Sequence, residues 1–410
     1  MNSTGTATPR RVLFVDDEAR VLDGLRQALA AQRDRWEMVF VTSGEAALEK
    51  LASGPFHILV SDMDMPGMDG PTLLRRARDD YPAVARLVLS THKDRDAVLK
   101  VVPSAHQYVT KPCDPAMLTA VLERTFAVQA FLEDPQLRQL VGGIQRLPST
   151  PHLFWELTHA VQHHGAGMDQ VAGIVERDPA MAVKVLQMVN SAYFGLGRRV
   201  TSVHQAVTFL GAETVRGLVL SAQVFAAVQQ GPAAHQLEAL QQRSLLAARL
   251  ARKMCVDGHL ADEAFTATLV ADIGQAILIG TQPTTRLAQL HALAQQRGVP
   301  EHDVEHEILG VTHGAVGAYL LGSWGLPLTV IEVAAFHHAL AKAEARPHGV
   351  VALAHLANIL AQLVQLPKEQ QAPWVQLAQR APGHDAWLPA ARRELRALGL
   401  FVPPALTAAA

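Results

Sequence analysis

The sequence predicts two architectures in one chain, an α/β domain built on a parallel sheet and an all-α region after it. Three observations carry this. Up to about residue 130, short apolar runs alternate with helix-period segments. Beyond Pro148 no convincing strand is read, whereas amphipathic helical segments recur. The 410 residues, 49% of them hydrophobic, allow two or three domains, each with its own core.

Residues 1–10 are rich in Ser, Thr and Pro and are expected to be flexible. Val12–Val15 is an apolar strand ending in Asp16-Asp17-Glu18, and Val21, Leu25, Ala28 and Leu29 then share one helical face. The unit repeats, with strands at 37–41, 57–61 and 86–90 followed by helices at 44–51, 71–78 and 94–101. A strand at 107–109 closes the series and a helix begins near Pro115. Such alternation implies a parallel sheet with right-handed crossovers and helices on both faces.

Parallel strands present their carboxyl ends together, which is where open α/β sheets place their chemistry. Asp16 and Asp17 follow the first strand and Asp62 ends the third, in HILVSDMDMPGMDG, so they are expected to form one acidic pocket. Ser90 and Lys111 end the fourth and fifth strands and enter it. Three unpaired carboxylates repel one another, and a hard divalent cation such as Mg²⁺ relieves this. An acid cluster, a hydroxyl and an ammonium around such an ion suit a phosphoryl group, with one carboxylate attacking phosphorus. Asp64 and Asp69 compete with Asp62 for that role. Asp62 is preferred because it directly follows the apolar strand, whereas Asp64 lies in the loop and Asp69 is placed to cap the helix near Pro71.

These pieces, with Tyr108-Val-Thr-Lys111-Pro112, stand in the order and near the spacing of the receiver domains of two-component response regulators, which residues 11–130 resemble. The resemblance implies a flavodoxin-like sheet of order 2-1-3-4-5. It also implies Asp62 as phospho-acceptor and Asp16, Asp17, Asp62 and the backbone carbonyl of Asp64 as the Mg²⁺ set. Lys111 becomes the phosphate-contacting lysine, Ser90 the hydroxyl that moves toward phosphate and Tyr108 the switch aromatic. Taken alone, Tyr108 also fits a half-buried aromatic on an edge strand. Thr91, where a small residue is common, and Cys113, where an aromatic often follows Lys-Pro, depart from the pattern without removing a required group.

The helical pattern from Pro115 runs to about Leu140, where Gly142-Gly143 and Leu147-Pro148 break it, so 131–147 is read as a helical linker. In the all-α region Asp169 and Asp178-Pro179 look like N-caps. Met181, Val185, Met188 and Val189 form a stripe that Lys184 and Gln187 lie off. Ser202 starts a helix that Leu210-Gly211 stops, and further segments cover about 233–255, 261–279, 312–322 and 328–340. Residues 148–366 are expected to form one bundle-like domain and 367–410 a helical appendage.

The stretch ERDPAMAVKVLQMVNSAYFG, followed by SVHQAVTFLGAETVRGLVL, resembles the HDOD domain, a bacterial signalling output related to HD-type metal phosphohydrolases. Active relatives use a first His, a His-Asp pair and a later Asp as metal ligands. The corresponding positions here are Arg243, Ala271 with Asp272, and Asn358, so Asp272 alone keeps a ligand. No cofactor is expected in this domain, and it is read as non-hydrolytic.

The chain has 19 histidines, and several fall in this half. His302 and His306 are one turn apart, a chelating spacing, but EHDVEHE reads more readily as a solvated face. His313 is a further histidine of the region. His337 and His338 resemble a pair seen in HD relatives, yet helix neighbours diverge by about 100 degrees, so packing or capping is favoured. Arg198 and Arg199 are read as solvated.

A formal net charge of -2 gives no global basic field for nucleic acid or anionic membrane. Cys113 and Cys255, the only cysteines, make neither a disulfide framework nor a zinc spacing. A cytoplasmic protein without a membrane span is expected. The leading functional reading is a phosphorylation-switched regulator: a histidine kinase donates to Asp62, and the non-catalytic output domain changes its contact with a downstream protein; a homodimer is left open. The alternative is a receiver-controlled, metal-dependent HD-type phosphodiesterase acting on a nucleotide or cyclic dinucleotide.

Overall fold

The computed structural model describes residues 10–91, 104–112, 114–131, 135–144, 147–149, 153, 156, 157, 159, 160, 167–191, 199–220, 225–227, 232–340 and 349–400. The helix expected at 94–101, Cys113, Arg198 and the last ten residues of the tail, 401–410, lie outside the described residues. Two compact units divide the chain, the first built on residues up to Gln145 and the second on most of the residues after it.

In the first unit β1 (Arg10–Val15), β2 (Trp36–Val41), β3 (Ile58–Asp62), β4 (Ala85–Thr91) and β5 (Gln107–Lys111) form one parallel sheet of order β2-β1-β3-β4-β5. Its described helices are α1 (Ala19–Ala28), α2 (Gly44–Ser53), α3 (Gly70–Asp80), α4 (Pro115–Phe131) and α5 (Pro135–Gly142). β3 is buried at every position, as its unbroken apolar run requires of a central strand covered on both faces. One face packs Phe14, Ile58, Val60 and Leu87 against Leu22 and Leu25 of α1 and Leu118, Leu122 and Phe126 of α4. The chain leaves β3 through a loop that Asp69 ends by capping α3, its carboxylate accepting from Thr72 N at 2.9 Å with Pro71 in the first turn.

Arg86 is fully buried in this unit. Its guanidinium donates to the carbonyls of Ser104 at 2.8 Å, Val84 at 3.0 Å and, on α5, Gly142 at 2.9 Å. A buried cation of this kind needs such acceptors. Within the expected linker, α5 is therefore bonded to the sheet that precedes it.

The second unit holds α6 (Met168–Val175), α7 (Pro179–Val189), α8 (Val203–Leu220), α9 (Pro232–Met254), α10 (Gly258–Leu269), α11 (Ile273–Thr281) and α12 (Thr284–Arg297). The series continues with α13 (Glu305–Leu309), α14 (His313–Ser323), α15 (Leu328–Phe336), α16 (Gly349–Gln365), α17 (Ala372–Arg380) and α18 (His384–Ala397). α9 packs against α10, α16 and α18. Asp178 caps α7 as read from the sequence, accepting from Ala180 N at 2.8 Å. Gly211 carries φ 78° inside α8, so the regular helix stops where Leu210-Gly211 predicted.

Several expectations are corrected. Two short strands do occur, β6 (Leu147–Ser149) pairing in parallel with β7 (Phe225–Ala227); three residues each are too few to show a period in the sequence. Gly167, not Asp169, is the N-cap of α6, and Asp169 in its first turn meets His204 Nε2 at 2.8 Å. Lys184 and Gln187 are as buried as the apolar stripe of α7, because the whole helix is enclosed; Lys184 Nζ donates to Gln187 Oε1 at 3.1 Å. The segment expected at 261–279 is two helices, broken before Asp272. Leu260–Thr281 is apolar enough to cross a membrane, but 83% of its most apolar window is buried inside this unit. α18 lies in the expected helical appendage and buries Leu388, Ala391 and Leu395.

Candidate functional site

The strand register of the first unit builds its pocket. Val15 pairs with Ser61, so the next residues, Asp16 and Asp62, leave adjacent strands side by side. Lys111 ends β5 at the same edge and reaches both. Its ammonium donates to Asp16 Oδ2 at 2.6 Å and to Asp62 Oδ1. Asp62 Oδ2 accepts from the backbone N–H of Asp64 at 3.2 Å, and Asp16 Oδ1 from Glu18 N at 3.0 Å. The loop after Asp62 folds under it, with Gly70 N donating to Met63 O at 2.9 Å. A Cβ on Gly70 would lie 2.1 Å from the Asp62 carbonyl oxygen, so only glycine permits this approach.

Burial pushes the Asp62 carboxyl above its ordinary value, and the Lys111 hydrogen bond and charge offset this only in part. For Lys111, burial acts downward, but bonds to Asp16 and Asp62 outweigh it and hold the ammonium above the usual lysine range. Asp17 and Asp64 are exposed at the pocket's rim. Asp16, Asp17, Asp62 and the Asp64 carbonyl offer only hard oxygen donors, which fits Mg²⁺. The one ammonium that bridges two buried carboxylates marks the place where positive charge is required.

Tyr108 stands on the edge strand β5 as expected but is fully rather than half buried, and among the described residues its hydroxyl has no partner. Burial drives that hydroxyl's pKa up. Ser90 lies in β4 with its backbone opposite Thr110, beside the strand that carries Lys111.

The second unit holds a cluster that the sequence reading missed. Asp272, between α10 and α11, is buried in an apolar run, and imidazoles from three directions converge on its Oδ1. His337 Nε2 stands at 2.9 Å, His313 Nε2 at 3.4 Å and His338 Nε2 at 3.9 Å. The histidines that meet Asp272 come from outside the four motif positions, where Asp272 is the one ligand kept. His337 sits at the C-cap of α15, just past the regular helix. The 100-degree divergence of helix neighbours therefore does not separate it from His338.

EHDVEHE is a solvated face only in part, with Asp303, His306 and Glu307 exposed. Glu305 is 2% exposed, and its carboxylate faces His313 Nδ1 at 2.7 Å. His302 and His306 part company, His306 being exposed while His302 stacks on His338 with ring centroids 3.9 Å apart. Burial, then the charge of His313, pushes the His302 imidazole down to about 3. Burial acts downward on His313 too, but Glu305 and Asp272 raise it to about 10. For Asp272, burial is outweighed by Arg243, His313 and His337, which hold the carboxyl well below its ordinary range.

A cavity of about 620 Å³ opens beside the cluster and is lined by Asp272, His302, His313, His338, Arg243, Asn358 and Trp374 among others. Arg243 Nη2 lies 3.4 Å from Asp272 Oδ2, and Nη1 donates to Gln362 Oε1 at 2.9 Å. Arg243 and Asn358 line the same cavity as Asp272. Ala271 is buried beside it without a donor atom. A signal for the cluster was present in the sequence: an acid inside TLVADIGQAILIG must be compensated when it is buried.

Residues 12–123 match the response regulator receiver domain family, and residues 147–340 match the HDOD domain family. Over 229 residues the chain is 27% identical to the DNA-binding transcriptional regulator NtrC of Escherichia coli K12, covering 50% of this chain and 47% of that protein. It is 38% identical over 117 residues to the transcriptional regulatory protein CseB of Streptomyces coelicolor, covering 28% and 48%. Among solved structures, the signal receiver domain of an HD domain-containing protein from Pseudomonas fluorescens Pf-5 is 28% identical with a TM-score of 0.31, covering 33% of this chain and 99% of that one. The chain spans about half the length of the curated relatives it matches. It carries a response regulator receiver domain followed by an HDOD domain.

Proposed function

We propose that this protein is a cytoplasmic response regulator in which Asp62 accepts a phosphoryl group from a histidine kinase and a non-catalytic HDOD output answers by changing its contacts with a downstream protein. The observation that carries this reading is the convergence of Asp16, Asp62 and Lys111 at the carboxyl edge of the sheet. In the transfer, an Asp62 carboxylate oxygen forms a bond to phosphorus as the bond from phosphorus to the donor imidazole nitrogen breaks. Lys111 already touches Asp62 and is placed to neutralise the incoming phosphoryl oxygens. Bound Mg²⁺, held by Asp16, Asp17, Asp62 and the Asp64 carbonyl, would supply further charge neutralisation. Ser90 and Tyr108 are assigned to the switch that follows, with the Tyr108 ring, buried here, as its reporter.

We take the domain limits as 11–130 for the receiver, 131–147 for a linker, 148–366 for the HDOD domain and 367–410 for the tail. Beryllofluoride with Mg²⁺ tests the switch. It should alter the Tyr108 environment in the wild type, read by NMR, and leave Asp62→Asn unchanged; an equal response in both contradicts the assignment.

The histidine cluster and its cavity favour a second reading, a metal-dependent phosphodiesterase. Against it stand Arg243, Ala271 and Asn358 at three of the four expected ligand positions. Turnover of a generic phosphodiester by metal-loaded protein, lost in Asp272→Asn, would establish it.

A further inference from the structure

We propose that Asp272, His313, His337 and His338 form a mononuclear binding site for a divalent transition-metal ion of the zinc class. One donor atom from each of the four lies within 4.8 Å of the others. Donors in a tetrahedral zinc site, with bonds of about 2.0–2.2 Å, stand roughly 3.3 Å apart. The separations here are 2.9 Å from Asp272 Oδ1 to His337 Nε2, 3.4 Å to His313 Nε2 and 3.9 Å to His338 Nε2. His313 Nε2 and His337 Nε2 are themselves 3.4 Å apart. These four separations are near tetrahedral spacing.

The surroundings orient these rings as ligands. His337 Nδ1 faces the carbonyl oxygens of Val333 at 3.0 Å and Ala334 at 3.1 Å, so it carries the proton. His313 Nδ1 faces Glu305 at 2.7 Å and carries its proton likewise. Both Nε2 atoms then face the Asp272 carboxylate. Buried nitrogens this close to a carboxylate need positive charge between them, which either a ring proton or a metal ion in its place supplies. A carboxylate or backbone carbonyl behind each ligating imidazole is the arrangement that fixes the tautomer and raises ligand basicity in metal sites.

The site takes one ion rather than two, because the Arg243 guanidinium occupies the far side of Asp272, at 3.4 Å from Oδ2. The same geometry leaves a face toward the 620 Å³ cavity, where the buried Asn358 Oδ1 has no partner among the described residues. The ion would therefore tie α11, α14 and α15 together at the wall of that cavity, as a structural element that does not depend on hydrolysis.

Co²⁺ is the probe, titrated into chelator-treated full-length protein with excess Mg²⁺ present to occupy the oxygen site of the receiver. One Co²⁺ per chain is expected, with a visible ligand-field band of near-tetrahedral character that Zn²⁺ displaces. His337→Gln and Asp272→Asn should abolish the band, Arg243→Ala should keep it, and Glu305→Gln should weaken binding by about 10- to 100-fold. Absence of a stoichiometric band in the wild type overturns the proposal and leaves a buried imidazolium as the compensating cation. A band that survives in His337→Gln and Asp272→Asn also overturns it. Neither result touches the assignment of Asp62, since no receiver residue is altered.

Discussion

The two polar clusters of this chain are built by opposite routes. In the receiver, Asp16 follows β1, Asp62 ends β3 and Lys111 ends β5, so one parallel sheet presents all three at its carboxyl edge, where the Lys111 side chain reaches both acids. In the second unit, Asp272, Glu305, His313 and His337 come from separate helices, and packing alone brings them together. The first pocket is open at its rim, where Asp17 and Asp64 are exposed. The second has its charges buried to 2–3% exposure, where each group depends on its partner.

Disturbing the helical cluster should accordingly have the largest effects on stability. Glu305→Ala removes the carboxylate facing His313 Nδ1 and strands a buried imidazole, so a loss of about 3–5 kcal/mol is expected in urea unfolding of the second unit. Acceptance of phosphate at Asp62 should be unaffected. Gly274→Ala tests the packing itself. Its Cβ would lie 1.9 Å from the His313 carbonyl oxygen, forcing α11 from α14 at a cost of about 3 kcal/mol. A stability near the wild-type value would show that these helices are not held as described.

Lys184 sharpens the same contrast through pH. It is 2% exposed, and burial lowers its pKa to about 7. The unfolded chain keeps this proton to about pH 10.4. Between pH 7 and 10 the unfolded state thus binds more protons, and stability rises with pH through that window, being flat below it. Lys184→Met should remove this rise and be more stable than wild type at pH 7, measured by denaturant midpoints across the range. The smallest effect is expected at the receiver's surface, where Asp69→Ala loses one cap bond to Thr72 N and about 1 kcal/mol.

The same division governs what could be read from the sequence. The sheet, its five strands and the acid pocket follow from runs of apolar residues that end in Asp or Lys, and both the pattern and the chemistry are local. Asp69-Gly70-Pro71 and Asp178-Pro179 likewise announce their helices through cap chemistry. β6 and β7 gave no signal because three residues carry no period. His313, His337 and His338 each read as ordinary helix residues, since nothing in one segment records what another places against it. Glu305 was hidden among exposed acids in EHDVEHE, where burial is decided by the partner helix rather than by the neighbours in sequence. Ser90 was placed correctly on the fourth strand, and its role rests on the family resemblance.

The central claim is that Asp62 is the residue that forms and breaks a covalent bond with phosphorus. Incubation of the full-length protein with acetyl phosphate and Mg²⁺, followed by intact-mass spectrometry and borohydride trapping of the acyl phosphate, tests it directly. The account predicts a mass gain of one phosphoryl group, mapped to the peptide position of Asp62 and absent in Asp62→Ala. Phosphoryl transfer to Asp64 or Asp69, or an equal gain in Asp62→Ala, would contradict it.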